Sequence, residues 1–362
     1  MIPLIKTYLP PRDRLMPLLE DVLYSGYIAQ GETVDEFEEL LGNYIGNYHC
    51  ISVNSGSSAI HLALILAGVG SNHEVISTPI TAEPTNTVIK QTGAKIVWSD
   101  IDVATGNICP KSVEEKITPL TKAIVVVDYA GSPVNVPAFQ RIEKKYNIPI
   151  IQDAAHAFGA GFNNEKLGNH FSYTCFSFQA IKHITTVDGG ALFVRTQSDH
   201  EKAKLIRWFG LDKKLGRSEN NISVQGYKYH MNNVNAAIGI AQLDWLEHSV
   251  NRYIKNGKFF DAELKNITGI RLLKHYKGAE PSYWLYTLLV EDKENFIKAL
   301  CSRGIMVSDL HKRNDMHTLF SEYATALPNV DYFEKNWVHI PCGWWVGAAE
   351  REKILTAIKL GW

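Results

Sequence analysis

Two residues in the segment IPIIQDAAHAFGAGFNNEKLGNHFSYTCFSFQAIKHITTVDGGALFV, residues 148–194, could do covalent chemistry together: Asp153 closes one apolar run and Lys182 follows another. A lysine amine adds to a carbonyl, and an acid facing a pyridine nitrogen keeps that ring protonated and electron-withdrawing. An acid at one strand end with a lysine near a second is therefore the pairing that pyridoxal phosphate requires. Each residue also has an ordinary reading, because isolated lysines are usually solvated and a strand-end Asp usually caps a helix. A second group lies upstream. In Asn54-Ser55-Gly56-Ser57-Ser58 a strand turns through glycine into a helix, whose free N–H groups and dipole suit an anion such as phosphate. A plain serine N-cap would use the same residues.

These groups need a scaffold that brings strand ends together. From residue 50 the runs CISV, EVIST, KIVWSD, AIVVVD, IPIIQD, YTCFSF and ALFV read as seven strands alternating with helical stretches. Apolar strands separated by helices predict an α/β fold with a mostly parallel seven-stranded sheet covered by helices, and ligands at the carboxyl ends of its strands. Residues 207–230 lapse into a polar, glycine-containing stretch that reads as a long functional loop, and an amphipathic helix from about Asn232 to Leu246 and beyond follows. From Tyr253 a helix, the strand SYWLYTLLV, the helix NFIKALCSRGI and a closing helix predict a smaller α+β unit. The expected division is a large domain over 1–250 and a small C-terminal domain over 251–362.

Composition narrows the function further. With 37 basic and 38 acidic residues the net charge is −1, so the chain as a whole has no cationic field for nucleic acid or an anionic membrane. The five cysteines are scattered and form no C-x-x-C pair, which argues against a disulfide scaffold or a structural zinc site and for a reducing cytoplasm. No apolar stretch is long enough to span a bilayer, and the N-terminal residues do not form an export signal.

The segments SGYIAQG (25–31), NSGSSAIHLAL (54–64), TGAKIVWSDID (92–102), QDAAHAFGA (152–160), SFQAIKHITTVDGG (177–190) and GYKYHMNNVNAAIGIAQL (226–243) occur in an order that resembles the DegT/DnrJ/EryC1/StrS aminotransferases over nearly the whole chain. That resemblance implies the aspartate-aminotransferase fold (pyridoxal phosphate fold type I), a pyridoxal 5'-phosphate cofactor that passes through pyridoxamine 5'-phosphate, and a cytoplasmic homodimer with shared active sites. It further implies a ping-pong transfer of the amino group of L-glutamate to a keto-sugar nucleotide, with a 4-keto-6-deoxy sugar giving the 4-amino sugar as the favoured case. Residue by residue, it implies that Lys182 forms the Schiff base, that Asp153 partners the pyridine nitrogen, and that Gly56, Ser57, Ser58 and Ser177 hold the phosphate. His156 matches a position beside the cofactor ring, with a satisfied core histidine as the competing account. Tyr27 and Gln30 fall near the active-site mouth.

Two positions depart from the family pattern. Ala82 stands where many members carry an aromatic residue that stacks on the cofactor, and Lys228 stands where an asparagine reaches the phosphate of the neighbouring subunit. Lys228 is expected to meet that phosphate as a charge rather than an amide. In SDLHKRNDMH, the two histidines are six apart and match no helical zinc motif, so no metal is expected and His311, Lys312 and Arg313 are read as substrate-side residues. The pair Trp344-Trp345 reads as core or interface packing. Two alternatives stand beside the aminotransferase: a sugar-nucleotide dehydratase, a branch in which histidine replaces the lysine, and a non-catalytic regulator of the same fold.

Overall fold

In the computed structural model, which describes residues 1–362, every run predicted as a strand is one. In chain order the strands are β1 (Cys50–Val53), β2 (Glu74–Ser77), β3 (Lys95–Trp98), β4 (Thr121–Val127), β5 (Ile150–Asp153), the two-residue β6 (Gly161–Phe162) and β7 (Glu165–Lys166), β8 (Tyr173–Ser177) and β9 (Gly190–Val194). Seven of them form one sheet in the order β1-β9-β8-β5-β4-β2-β3. Neighbours from β8 to β3 pair in parallel, while β9 runs antiparallel to both β1 and β8. The predicted α/β class and mostly parallel sheet are therefore what the chain adopts.

The period-2 alternation of the strands explains why the sheet is covered on both faces. Val75, Val125, Ile151 and Leu192 enter one core, together with Ile60 and Leu64 of the helix α3 (Gly56–Leu66). Their sequence neighbours Ile76, Val126, Ile150 and Phe193 enter a second core on the opposite face, with Phe37 and Leu41 of α2 (Glu32–Ile45). Each such side chain, fully buried, contributes about 1.5–3 kcal/mol. Polar residues gather where these strands end: Ser77 on β2, Asp153 on β5 and Ser177 on β8 are all buried.

A second sheet lies in the C-terminal part of the chain. Its strands β10 (Ile270–Leu272), β12 (Tyr286–Val290) and β13 (Trp337–Ile340) are antiparallel neighbours in that order, and the two-residue β11 (Ala279–Glu280) pairs instead with β6. Leu288, Val290, Val338 and Ile340 share a core with Leu300, Ile354 and Ile358, and also with Ile2, which bridges to Ile305. Of the two helices expected after the polar loop, the first ends early, spanning Asn233–Leu243, and the second, Leu246–Leu264, follows a break at Asp244 and Trp245. The second begins before the expected Tyr253 and packs Leu246 and Val250 against the large sheet, Phe260 and Leu264 against the small one. Trp344 and Trp345 donate their ring N–H groups to the carbonyls of Lys6 (3.1 Å) and Pro3 (2.9 Å), which ties the N-terminal segment down.

Candidate active site

Asp153 ends β5, buried at the carboxyl edge of the sheet. Its carboxylate accepts the Thr85 hydroxyl at 2.7 Å and the Ala155 N–H at 3.1 Å. Burial raises its pKa above the ordinary carboxylate value, against the opposing pull of those two bonds and of Lys182. Lys182 follows β8. The residue is half-buried by exposed area, but its amine is enclosed by protein, and that desolvation lowers the pKa to about 7, with Asp153 opposing the fall. The amine stands 4.0 Å from the ring centroid of Trp284, whose indole N–H donates to the Ile181 carbonyl at 2.9 Å. Trp284 thus holds the backbone next to the lysine and offers its ring to the amine.

His156 stacks on the same tryptophan, with centroids 4.0 Å apart and planes at 21°. It is buried, its Nδ1 has no hydrogen-bond partner, and burial holds its pKa well below the ordinary imidazole value. His311 lies parallel to it at 6.3 Å. Opposite, α3 starts at Gly56, with the Ser55 hydroxyl accepting from the Ser58 N–H at 3.0 Å. First-turn amides have no partner within their own helix. Close packing at this helix start requires glycine: a Cβ on Gly56 would come 2.8 Å from Ser177 Cβ, and one on Gly190 would come 2.7 Å from the Gly56 nitrogen.

Between these groups is a cavity of about 390 Å³ lined by Gly56, Ser57, Asp153, His156, Ser177, Lys182 and His311. Seven of the residues singled out from the sequence therefore meet in one place. Its donors and acceptors fit pyridoxal phosphate: a helix N-terminus and serine hydroxyls for an anion, a buried carboxylate in no ion pair, an amine, and an unpartnered imidazole nitrogen. The backbone just before Asp188, a lining residue, is strained. Val187 sits at φ +71°, a cost of about 1–3 kcal/mol for a β-branched residue, and Asn235 overrides it by donating to the carbonyls of Thr186 and Asp188 (2.8 Å to the latter).

Other expected site residues lie elsewhere. The Ser58 hydroxyl is engaged by Asn54 Oδ1 (2.6 Å) and Ser55 Oγ (2.9 Å) and faces an adjoining cleft of about 330 Å³ rather than the Lys182 cavity. Lys228 is exposed and Tyr27 is 79% exposed. Gln30 accepts from Lys213 at 2.8 Å in a separate cleft that also holds Asp35 and Lys214. Lys312 is exposed outside the cavity. Arg313 requires correction: it is buried and paired with both oxygens of Asp315 (2.8 and 2.6 Å) and with Asp331, which leaves it bracing its loop rather than facing a substrate. Ala82 does line the cavity, and the aromatic surface there comes from His156, which stacks on Trp284. Thr85, Trp284 and Glu83 were not singled out from the sequence. Only Thr85 carried a signal, as a hydroxyl at the start of a helix following a strand.

The model of the DegT/DnrJ/EryC1/StrS aminotransferase family matches residues 12–359. The UDP-4-amino-4,6-dideoxy-N-acetyl-beta-L-altrosamine transaminase of Campylobacter jejuni is 34% identical over 340 residues, covering 91% of this chain and 89% of that protein. The crystal structure of the sugar aminotransferase CalS13 from Micromonospora echinospora superimposes with a TM-score of 0.96 at 35% identity, covering 100% of both chains. Spr1654 of Streptococcus pneumoniae, described as a candidate sugar aminotransferase and solved in its PMP form, superimposes with a TM-score of 0.90 at 25% identity, covering 98% of this chain and 97% of that one.

Proposed function

Because the chain belongs to the DegT/DnrJ/EryC1/StrS aminotransferase family, a family of pyridoxal phosphate-dependent sugar aminotransferases, we propose that it moves the amino group of L-glutamate to a keto-sugar nucleotide. The favoured acceptor is a 4-keto-6-deoxy sugar, which leaves as the 4-amino sugar. The observation that carries this reading is the cavity in which Lys182 and Asp153 stand together without forming an ion pair, the amine's pKa lowered to about 7. At that value a large share of the amine is unprotonated near neutral pH, which a nucleophile and proton carrier needs.

Pyridoxal phosphate, when bound, supplies a protonated pyridine that stores the electron pair left on the substrate carbon. Gly56, Ser57 and Ser177 would hold its phosphate, and Asp153 would keep the proton on its ring nitrogen. Burial raises the Asp153 pKa despite the pull of Lys182, and a protonated ring nitrogen beside the carboxylate would offset that cost. The Lys182 amine takes a proton from the substrate carbon and returns it at the other reacting carbon, first for the donor and then, in the opposite direction, for the sugar. His156, stacked on Trp284, would cover the ring. The lysine on the cavity floor favours transamination over the dehydratase reading, since neighbouring His183 directs Nε2 at the Ser282 carbonyl (3.2 Å).

A shared active site in a homodimer belongs to the same proposal. Its support is the position of Tyr27, Gln30 and Lys228, which lie on the chain's own surface and away from its own Lys182 cavity. For the division into domains 1–250 and 251–362, the core of the second sheet is support, while Ile2 joins that core and the helix Leu246–Leu264 runs across the boundary. No helix is long and apolar enough to cross a membrane, and all five cysteines are unpaired, in keeping with a reducing cytoplasm.

Absorbance spectra of the protein with pyridoxal phosphate, before and after L-glutamate, test the proposal. The expected result is a visible band that gives way to the near-ultraviolet band of the amine form. A band indifferent to glutamate contradicts the donor, and no band at all supports the non-catalytic reading.

A further inference from the structure

Beyond the groups that suit the cofactor, the cavity mouth carries a set of polar atoms without protein partners. Glu83 is the first residue of α4 (Glu83–Gln91), directly after Ala82. Its carboxylate oxygens lie 3.6 Å from His311 Nδ1 and 3.7 Å from His317 Nε2, near but outside hydrogen-bond distance. The Nε2 atoms of His311 and His317 are buried and bond nothing in the protein. Buried polar atoms are nearly always hydrogen-bonded, so two unpaired imidazole nitrogens beside Glu83, one of them on the cavity-lining His311, mark a place for a polar ligand.

The arrangement is also held rigidly. Asn86, on the same helix as Glu83, donates to Asn314 at 2.7 Å, and Asn314 in turn donates to the carbonyls of Thr81 (2.8 Å) and Pro79 (2.9 Å). Arg313 locks the intervening loop through Asp315 and Asp331. The helix bearing Glu83 and the loop bearing both histidines are thus stapled together, and a site braced in this way loses little entropy on binding.

Charge decides what kind of ligand fits. Glu83 borders both the Lys182 cavity and the adjoining cleft of about 330 Å³, and no lysine or arginine lines that cleft. A diphosphate or the carboxylates of an amino-acid donor would meet a negative charge in the cleft with no cation to offset it, and on the cavity side Lys182 is the one lysine or arginine in the lining. Sugar hydroxyls suit the site instead, because a carboxylate accepts two O–H bonds and each imidazole offers one donor or acceptor nitrogen. A helix-dipole role for Glu83, acidic at a helix N-terminus, is the structural alternative.

We propose that Glu83, flanked by His311 and His317, is a specificity-determining residue that binds hydroxyls of the acceptor sugar and takes no part in donor recognition. This rests on the reading of the acceptor as a keto-sugar nucleotide. The two half-reactions separate the consequences. Wild type and Glu83→Ala and Glu83→Gln variants are loaded with pyridoxal phosphate and mixed with L-glutamate. In parallel, each is loaded with pyridoxamine phosphate and mixed with a panel of keto-sugar nucleotides, with both reactions followed by absorbance.

The glutamate reaction is expected to stay within about twofold of wild type, while kcat/KM for the sugar reaction falls about 10- to 100-fold, chiefly through KM, as loss of a hydrogen bond to a charged acceptor implies. An unchanged sugar reaction overturns the assignment, and so does an equal loss in both, which with a lowered melting temperature identifies the helix-dipole role. If wild type itself ignores every keto-sugar nucleotide, the acceptor reading fails and this assignment fails with it. The pyridoxamine-loaded arm makes that outcome independent of the donor.

Discussion

Two of the acid–base pairs buried in this molecule are built in opposite ways. Glu38 on α2 receives Arg207, the Ser52 N–H at 2.8 Å and the Ser52 hydroxyl at 2.7 Å, while Arg207 also reaches the Ser52 carbonyl at 2.9 Å. Burial alone would raise the Glu38 pKa, but the Arg207 charge and these bonds outweigh it and hold the carboxyl below its ordinary value. Lys182 and Asp153 are also enclosed, yet they do not touch, and burial moves the lysine down and the acid up. Contact makes a buried pair structural. Separation across a cavity leaves both groups poised, each stabilised by whatever enters between them.

Removing one partner from each pair should break that comparison open. Glu38→Ala strands a buried guanidinium and is expected to cost about 3–5 kcal/mol in urea denaturation. Lys182→Met is expected to leave the cofactor-free protein as stable as wild type or more so at neutral pH. A comparable loss in both variants would erase the distinction.

The same contrast has opposite pH signatures. The Lys182 amine has a pKa of about 7 in the folded chain against 10.5 for the free group, so between those values the unfolded chain binds the extra proton. Stability of the cofactor-free protein should therefore rise with pH across that window, by up to about 1.4 kcal/mol per pH unit from this group, and Lys182→Met should flatten the rise. The Glu38 contribution, with a folded pKa below the ordinary 4.5, is present at neutral pH and is lost only as the pH falls through that depressed value. Denaturation curves at a series of pH values measure both.

A smaller effect sharpens the account of the acid. Thr85→Val removes the hydroxyl that holds Asp153 at 2.7 Å and should raise the Asp153 pKa further. Turnover is expected to fall about tenfold without loss of the fold. Unchanged turnover would mean that Ala155 and the cofactor suffice to hold the carboxylate.

Much of this was legible in the sequence because it is local. The strands announce themselves in short apolar runs, and Asp153, Ser177 and Lys182 are marked by standing at the ends of such runs. Gly56 and Ser57 are marked by a strand turning through glycine into a helix. What stayed hidden depends on contacts between distant segments. Nothing near Trp284 reveals that it stacks on His156 and holds the carbonyl of Ile181, and nothing near Thr85 reveals that it faces Asp153. Arg313 misled only partly for that reason: Asp331, on the next helix, was out of view, but Asp315, which takes two of its bonds, stood two residues away in the same segment. The helix break at Asp244 and Trp245 was hidden too, because the apolar pattern continues across it.

The most direct test of the central claim is to load the protein with pyridoxal phosphate, reduce it with borohydride and locate the modified residue by peptide mass mapping. The account predicts a single modification at Lys182, absent from Lys182→Met and weakened in Asp153→Asn. Modification at Lys213, Lys228 or many surface lysines, with Lys182 left free, would contradict it.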